Sequence, residues 1–166
     1  MTAPEARPKV IGEMIGDNKD MLLSTIPFSV ATGMEVVEVG PARARIRLPW
    51  RADLVGNPNT GVLHGGIITA LIDNACGCAV ICALPAMTSI ATLDLRIDYL
   101  RPATPGEAVI VDAECYRLTR NIAFIRALAH HGDRDDAIAH SVSTFMLGAN
   151  RAPAKDLDRK DHGHGA

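Results

Sequence analysis

Aromatic residues make up only 4% of the 166-residue chain, with one Trp, two Tyr and three Phe. A core must therefore be built from Ala, Val, Ile and Leu, within an ordinary hydrophobic content of 48%. Charge of one sign is also lacking. A formal net charge of -2 argues against a general nucleic-acid binder. The segment from Met1 to Pro8 is polar and has no apolar core of the kind a signal peptide carries, so no secretory signal is expected. No G-x-S-x-G elbow is present, which removes the usual support for a Ser-His-Asp nucleophile. Phosphate-loop and dinucleotide fingerprints are missing, because Gly61 to Gly66 has neither spacing. No internal repeat is evident. No group of His, Cys or acidic residues stands at a metal-ligand spacing, so neither metal nor cofactor is expected. Cys78 and Cys82 lie one helical turn apart without a histidine on that face, and read as small buried hydrophobes. Four cysteines, three of them in one apolar stretch, suit a reducing cytoplasm.

What is present centres on Asn57 to Leu84. This stretch opens with small and polar residues, passes through His64-Gly65-Gly66, and continues as an almost wholly apolar run. From Ile67 to Leu84 the strongly polar side chains are Thr69, Asp73 and Asn74. The run is too long for a buried strand and too short and interrupted for a transmembrane span, so it reads as a core helix and no membrane partner is expected. Helical spacing puts Gly66, Thr69, Ala70, Asp73 and Gly77 on one narrow side, where a second helix or a ligand can come close. The opposite side, with Ile68, Leu71, Ile72, Ala75, Cys78, Ala79 and Cys82, suits packing on a sheet. Asp73 is the anomaly: burying an ionised carboxylate costs several kcal/mol unless it is paired or used.

Along the rest of the chain, Val10 to Thr25 predicts one or two short helices, and Pro27 is expected to end helical character. Met34 to Val39 predicts a strand. Ala42 to Leu48 alternates strictly, with Ala42, Ala44, Ile46 and Leu48 on the inner face and Arg43, Arg45 and Arg47 on a solvated one. Ile90 to Leu100 alternates again; Leu93, Leu95, Ile97 and Tyr99 face in, and Thr92, Asp94, Arg96 and Asp98 face away. Ala108 to Leu118, Ile122 to His130 and Ala137 to Leu147 predict three further strands. His130, His131 and His140 fall in this region and read as structural or exposed. The short connections favour an antiparallel sheet. One long helix against six antiparallel strands is an α+β layer arrangement. A single such sheet leaves a helix face and an edge to cover, so a homodimer is expected, and beyond it a dimer of dimers. The expected division is 1–31 as an N-terminal extension with short helices, 32–148 as the main domain, and 149–166 as a disordered polar tail.

The element order, together with N-P-N-T-G-V-L-H-G-G-I-I-T-A-L-I-D-N at Asn57 to Asn74, resembles the hotdog fold and within it the PaaI-type acyl-CoA thioesterases. The resemblance covers roughly Thr32 to Leu147 and extends to T-L-D-L-R-I-D-Y-L-R-P at Thr92 to Pro102. It implies hydrolysis of an acyl-CoA, with aryl- or phenylacetyl-CoA among the candidate esters. It implies that the Gly65 N–H polarises the thioester carbonyl, that His64 shapes the loop, and that Asp73 is the nucleophile or the general base on water. Thr92 would help to position that water. Pro58 stands six residues before the histidine, where the family has an asparagine; Asn57 and Asn59 flank it, and Asn57 is preferred for the catalytic role, with Asn59 and Gly66 as substrate contacts. Arg120 would meet a CoA phosphate, although Thr119 replaces the glycine usual in that turn. A hotdog module that holds acyl-CoA without hydrolysing it is the alternative. A dehydratase is disfavoured by the lack of a separate histidine and acid pair. Asp73 favours the enzyme, because a binding module has no need of a costly carboxylate.

Overall fold

The computed structural model describes residues 8–149; all but the first residue of the expected polar tail, and all but the last of the polar N-terminal stretch, lie outside them. Short helical segments come first: α1 (Ile11–Met14), a 3₁₀ turn at Gly16–Asp20, α2 (Met21–Ser24) and α3 (Pro27–Thr32). Pro27 does not end helical character here; it starts α3, because at the first helical position its missing N–H has no partner to lose. Gly33, at φ 75°, closes α3 in the left-handed conformation. Strands β1 (Glu35–Gly40) and β2 (Arg43–Leu48) follow, then a ribbon of β3 (Val55–Asn57) and β4 (Val62–Leu63). The central helix α4 runs Gly65–Ala83. After it come β5 (Ile90–Tyr99), β6 (Val109–Leu118), β7 (Ile122–His130) and β8 (Ala139–Leu147). The β3–β4 ribbon is an addition to the expected elements; its strands are too short to leave a periodic pattern.

Six strands form one sheet in the order β1-β2-β6-β7-β8-β5, with every neighbouring pair antiparallel. Between β2 and β5 the chain crosses from one side of the sheet to its far edge, and α4 lies along that route. Leu71, Ile72, Ala75 and Ala79 of α4 are fully buried, together with Ile46 and Leu48 of β2, Val109 and Val111 of β6 and Ile125 of β7. Each large aliphatic side chain so buried contributes about 1.5–3 kcal/mol. Ile11, Ile15, Leu22 and Leu23 from the N-terminal helices join the same core. By length and composition α4 could cross a membrane, but most of it is buried inside the fold. The outer face of β2 carries Arg43, Arg45 and Arg47, which pair with Glu114, Asp112 and Glu35.

The strand β5 departs from strict alternation. Its register on β8 skips at Leu93, between Thr92 opposite Phe145 and Asp94 opposite Thr144. A bulge of one residue reverses the parity of the strand. Leu93 is therefore 51% exposed rather than inward, and Thr92 shares the helix-facing side with Leu95, Ile97 and Tyr99 instead of opposing them.

At the end of β7, His130 is 2% exposed. Its Nδ1 accepts from the Gly132 N–H at 2.9 Å, which leaves Nε2 to carry the proton toward Asp112 Oδ2 at 3.2 Å. Burial, with the Arg45 guanidinium and His131 nearby, holds the imidazole below its ordinary value, against the opposing pull of Asp133. The unfolded chain therefore takes up this proton first as pH falls. The contribution to stability is complete above the unfolded value of about 6.5 and is lost as pH drops through the folded one. Melting temperature measured from pH 7.5 down to 5 should fall less steeply in His130→Gln than in the parent; equal slopes would show that His130 carries no such linkage.

Candidate active site

His64 begins the site. It is the N-cap of α4, with an extended backbone (φ -63°, ψ 131°). Its Nδ1 accepts the Gly66 N–H at 2.9 Å, the usual service of an N-cap side chain. A neutral ring in this arrangement has its proton on Nε2. Gly66 is needed for the close approach: a Cβ there would lie 2.9 Å from His64 Nδ1 and 3.1 Å from Cε1. With its N–H committed to His64, Gly66 has no free backbone donor for a substrate. The Gly65 N–H, first of the helix, has no acceptor among the described residues. It points out of the positive end of the helix dipole, as an oxyanion donor should.

The Gly65 carbonyl is held separately. Tyr99 donates its hydroxyl to it at 2.9 Å, and Thr69 Oγ1 donates at 3.1 Å while lying 2.9 Å from the Tyr99 oxygen. Tyr99 thus fastens the end of β5 to the first turn of α4. Sequence reading missed this role; its only signal was an aromatic with a polar tip in a chain that has few.

Asp73 sits two turns farther along. It is half-buried, not enclosed, and Thr92 donates its hydroxyl to Asp73 Oδ1 at 2.9 Å. The cost expected for a fully buried carboxylate therefore does not arise in one chain. The bulge at Leu93 is what turns Thr92 toward the helix. Next to Asp73, Asn74 gives its amide to the Ala70 carbonyl at 2.9 Å and accepts from Ser29 at 3.0 Å. Asp73, Thr92, Asn74 and Gly77 line a groove of about 350 Å³, whose remaining walls are largely apolar.

The loop ahead of His64 is tightly made. The His64 N–H donates to the Leu54 carbonyl at 2.9 Å, and a Cβ on Gly56 would stand 2.8 Å from His64 Cα, so glycine is required there. Gly56 was not singled out from sequence. Trp50 Nε1 ties the ribbon loop down through the Gly61 carbonyl at 3.0 Å. Asn57 spends its Oδ1 on the Asn59 N–H at 3.0 Å, and both asparagines are exposed. Neither carboxamide reaches Asp73 in the same chain. Arg120 is exposed in the β6–β7 turn, where Thr119 bonds Ile122 through both its backbone and its hydroxyl. That turn lies beside the start of β5, since Leu147 donates to Asn121 and pairs with Ile90. Gly65, bonded to Tyr99, lies at the other end of β5. Within one chain, then, the structure joins Asp73 to Thr92 and His64 to Gly66, and leaves Asn57, Asn59 and Arg120 apart from both.

Other nucleophiles are disarmed. All four cysteines are free and buried. Burial pushes the Cys76 and Cys78 thiols up to about 12 and Cys82 to about 11, and raises Cys115, so none offers a thiolate near neutral pH. Among the described residues no cluster of three His, Cys or acidic side chains could hold a metal ion.

Known proteins resemble the chain in sequence and in fold. Residues 60–138 match the thioesterase superfamily. The medium/long-chain acyl-CoA thioesterase YigI of Escherichia coli is 29% identical over 163 residues, covering 89% of this chain and 97% of its own. A solved structure from Pseudomonas aeruginosa is 41% identical, with a TM-score of 0.71 over 78% of this chain and 96% of that one. A substituted form of the phenylacetic acid degradation protein PaaI from Thermus thermophilus is 28% identical, with a TM-score of 0.63 over 72% of this chain and 97% of that one. The chain has the long helix on six antiparallel strands of the hotdog fold, and it belongs to the thioesterase superfamily, as a thioester hydrolase of the PaaI-type hotdog group.

Proposed function

We propose that the chain hydrolyses acyl-CoA thioesters to the free acid and CoA, with Asp73 as the catalytic carboxylate. The observation that carries this reading is the hydrogen bond from Thr92 to Asp73 Oδ1. It fixes the carboxylate at the groove and leaves Oδ2 without a partner among the described residues, free to act on water or on the thioester carbon. In the general-base form, Asp73 takes a proton from water as the water oxygen bonds to the carbonyl carbon. The carbonyl oxygen becomes an oxyanion held by the Gly65 N–H. When the intermediate collapses the C–S bond breaks, and the proton on Asp73 passes to the departing CoA sulfur. In the nucleophilic form, an Asp73 oxygen bonds to the carbonyl carbon and the C–S bond breaks, expelling CoA as the thiolate; water then hydrolyses the mixed anhydride to the free acid and the Asp73 carboxylate, and its released proton neutralises the thiolate. His64 serves either form by holding the loop rather than by moving a proton.

The site is proposed to be shared between two protomers. Gly65 and Asp73 are eight residues apart, about 12 Å along α4, which is too far for both to meet one thioester carbon. The two sheet edges differ in what they can accept. On β1, Lys19 Nζ occupies the Val36 and Val37 carbonyls at 2.9 and 2.7 Å, beside a register break. The ten residues of β5 form the other edge, and an open strand of that length invites pairing. Antiparallel pairing of β5 with its copy across a two-fold axis sets the Thr92 end of one strand against the Tyr99 end of the other. Asp73 then approaches the Gly65 of its partner protomer. Asn57 and Asn59, just ahead of His64, come with Gly65, and Arg120 stays at the Asp73 end, where a CoA phosphate could meet it. The likeness to YigI supports an aliphatic acyl group over an aryl one, and four free thiols suit the cytoplasm.

The test is thiol release from butanoyl-, octanoyl-, hexadecanoyl- and phenylacetyl-CoA without metal or nucleotide. Release from at least one above background is expected. Binding of these esters without release would replace the enzyme with a carrier of acyl-CoA.

A further inference from the structure

The groove beside Asp73 has a wall that the superfamily match does not include. It follows α4 from Asp73 past Gly77 to Ile81, about 12 Å of helix rise. Across from the helix stand Met21, Leu22, Thr25 and Ile26, from α2 and the turn after it. All four precede the matched residues 60–138. Their segment is anchored beside the reacting carboxylate. Ser29, fully buried, donates to Asn74, and Asn74 in turn holds the Ala70 carbonyl on the same stretch of α4. Among the described residues that line the groove, Asp73 alone carries a charge. The apolar lining is aliphatic, thioether and thiol, with Ile81, Ile90, Met21, Met87 and Cys78, and among the described residues one aromatic, Phe145. At about 350 Å³ the volume lies near the lower end of the range for ligand sites. A flexible straight chain can follow such a groove along its length, whereas an aryl ring would occupy only its near end.

From this we infer that the N-terminal helical segment gauges acyl-chain length, with Met21 and Ile26 as the specificity-determining side chains and a straight, medium-length aliphatic acyl group as the occupant. The inference rests on the proposed hydrolysis at Asp73 and adds to it the part of the chain that selects the ester.

The test uses Ile26→Trp and Met21→Trp in the full chain. Ile26 is 38% and Met21 52% exposed, so neither larger side chain has to be forced into the core. Thiol release is measured for butanoyl-, octanoyl-, dodecanoyl- and hexadecanoyl-CoA. The parent should prefer octanoyl- or dodecanoyl-CoA. In each variant the ratio of kcat/KM for dodecanoyl- over butanoyl-CoA should fall about 15-fold, the effect of shutting out two methylenes at about fourfold each. An unchanged ratio in both variants overturns the inference while leaving hydrolysis intact. If the parent releases no thiol from any ester, the proposed reaction has failed, and the length gauge is then read from binding alone. Titration of the same esters into parent and variants should still show the dodecanoyl preference lost in the variants; no loss there rejects the gauge as well.

Discussion

Asp73→Asn should fold as the parent does and release CoA about 10²–10⁴-fold more slowly, the range that a positioned base supplies. The carboxamide has nearly the shape of the carboxylate. Its oxygen can accept the Thr92 hydroxyl as Asp73 Oδ1 does at 2.9 Å, so the link between α4 and β5 is kept. What is lost is the charge and basicity at the second oxygen. Asp73 is only half-buried, and its removal leaves no buried charge without a partner, so the melting temperature should change little. The loss should appear in kcat, with binding of acyl-CoA preserved, since the groove walls are untouched. Turnover within a few-fold of the parent would make Asp73 a structural residue.

The sheet was largely legible because its strands carry their burial in alternate residues. Ala44, Ile46 and Leu48 point inward and Arg43, Arg45 and Arg47 outward, as a half-buried strand requires. The long helix was legible for a different reason: its apolar run is too long for a buried strand, and α4 is buried along most of its length, with Cys78, assigned to the sheet-packing side, lining the groove instead. The failures have equally local causes. At Pro27 the residue that stops a helix in its interior begins one at its first turn, and composition does not tell the two positions apart. At Leu93 one unpaired residue reverses the facing of everything before it, so simple alternation put Thr92 on the wrong side of β5. In the site, the roles of His64 and Thr92 came from resemblance, but their hydrogen bonds did not. That Gly66 gives its N–H to His64, leaving Gly65 as the free donor, depends on where one imidazole ring turns. Tyr99, Ser29 and Asn74 were illegible because each acts through a partner 34 or 45 residues away in sequence.

Two inactive variants, Asp73→Ala and Gly65→Pro, should restore activity to each other when co-refolded. Proline at residue 65 removes the N–H that is proposed to hold the oxyanion. The position tolerates it: Gly65 opens α4, where proline is favoured, and His64 already has the extended backbone that a following proline demands. A Cβ at residue 65 would meet nothing nearer than the Tyr99 hydroxyl at 3.9 Å. Asp73→Ala removes the carboxylate from a half-buried position and releases only the Thr92 hydroxyl. Each homodimer then lacks one half of both of its sites. Co-refolded in equal amounts, about half of the dimers should be mixed under closed two-fold symmetry. In a mixed dimer, one site joins the intact Gly65 of the Asp73→Ala chain to the intact Asp73 of the Gly65→Pro chain, and the other site has neither. Half the dimers with one working site of two gives roughly a quarter of the parental activity. A site contained in one chain predicts no recovery at all, because every chain in the mixture lacks one of the two groups. Mass spectrometry under native conditions, with one variant carrying a tag, shows whether mixed dimers are present. If they are and thiol release stays at background, Gly65 and Asp73 do not act across the interface, and the pairing of β5 with its copy loses its functional support.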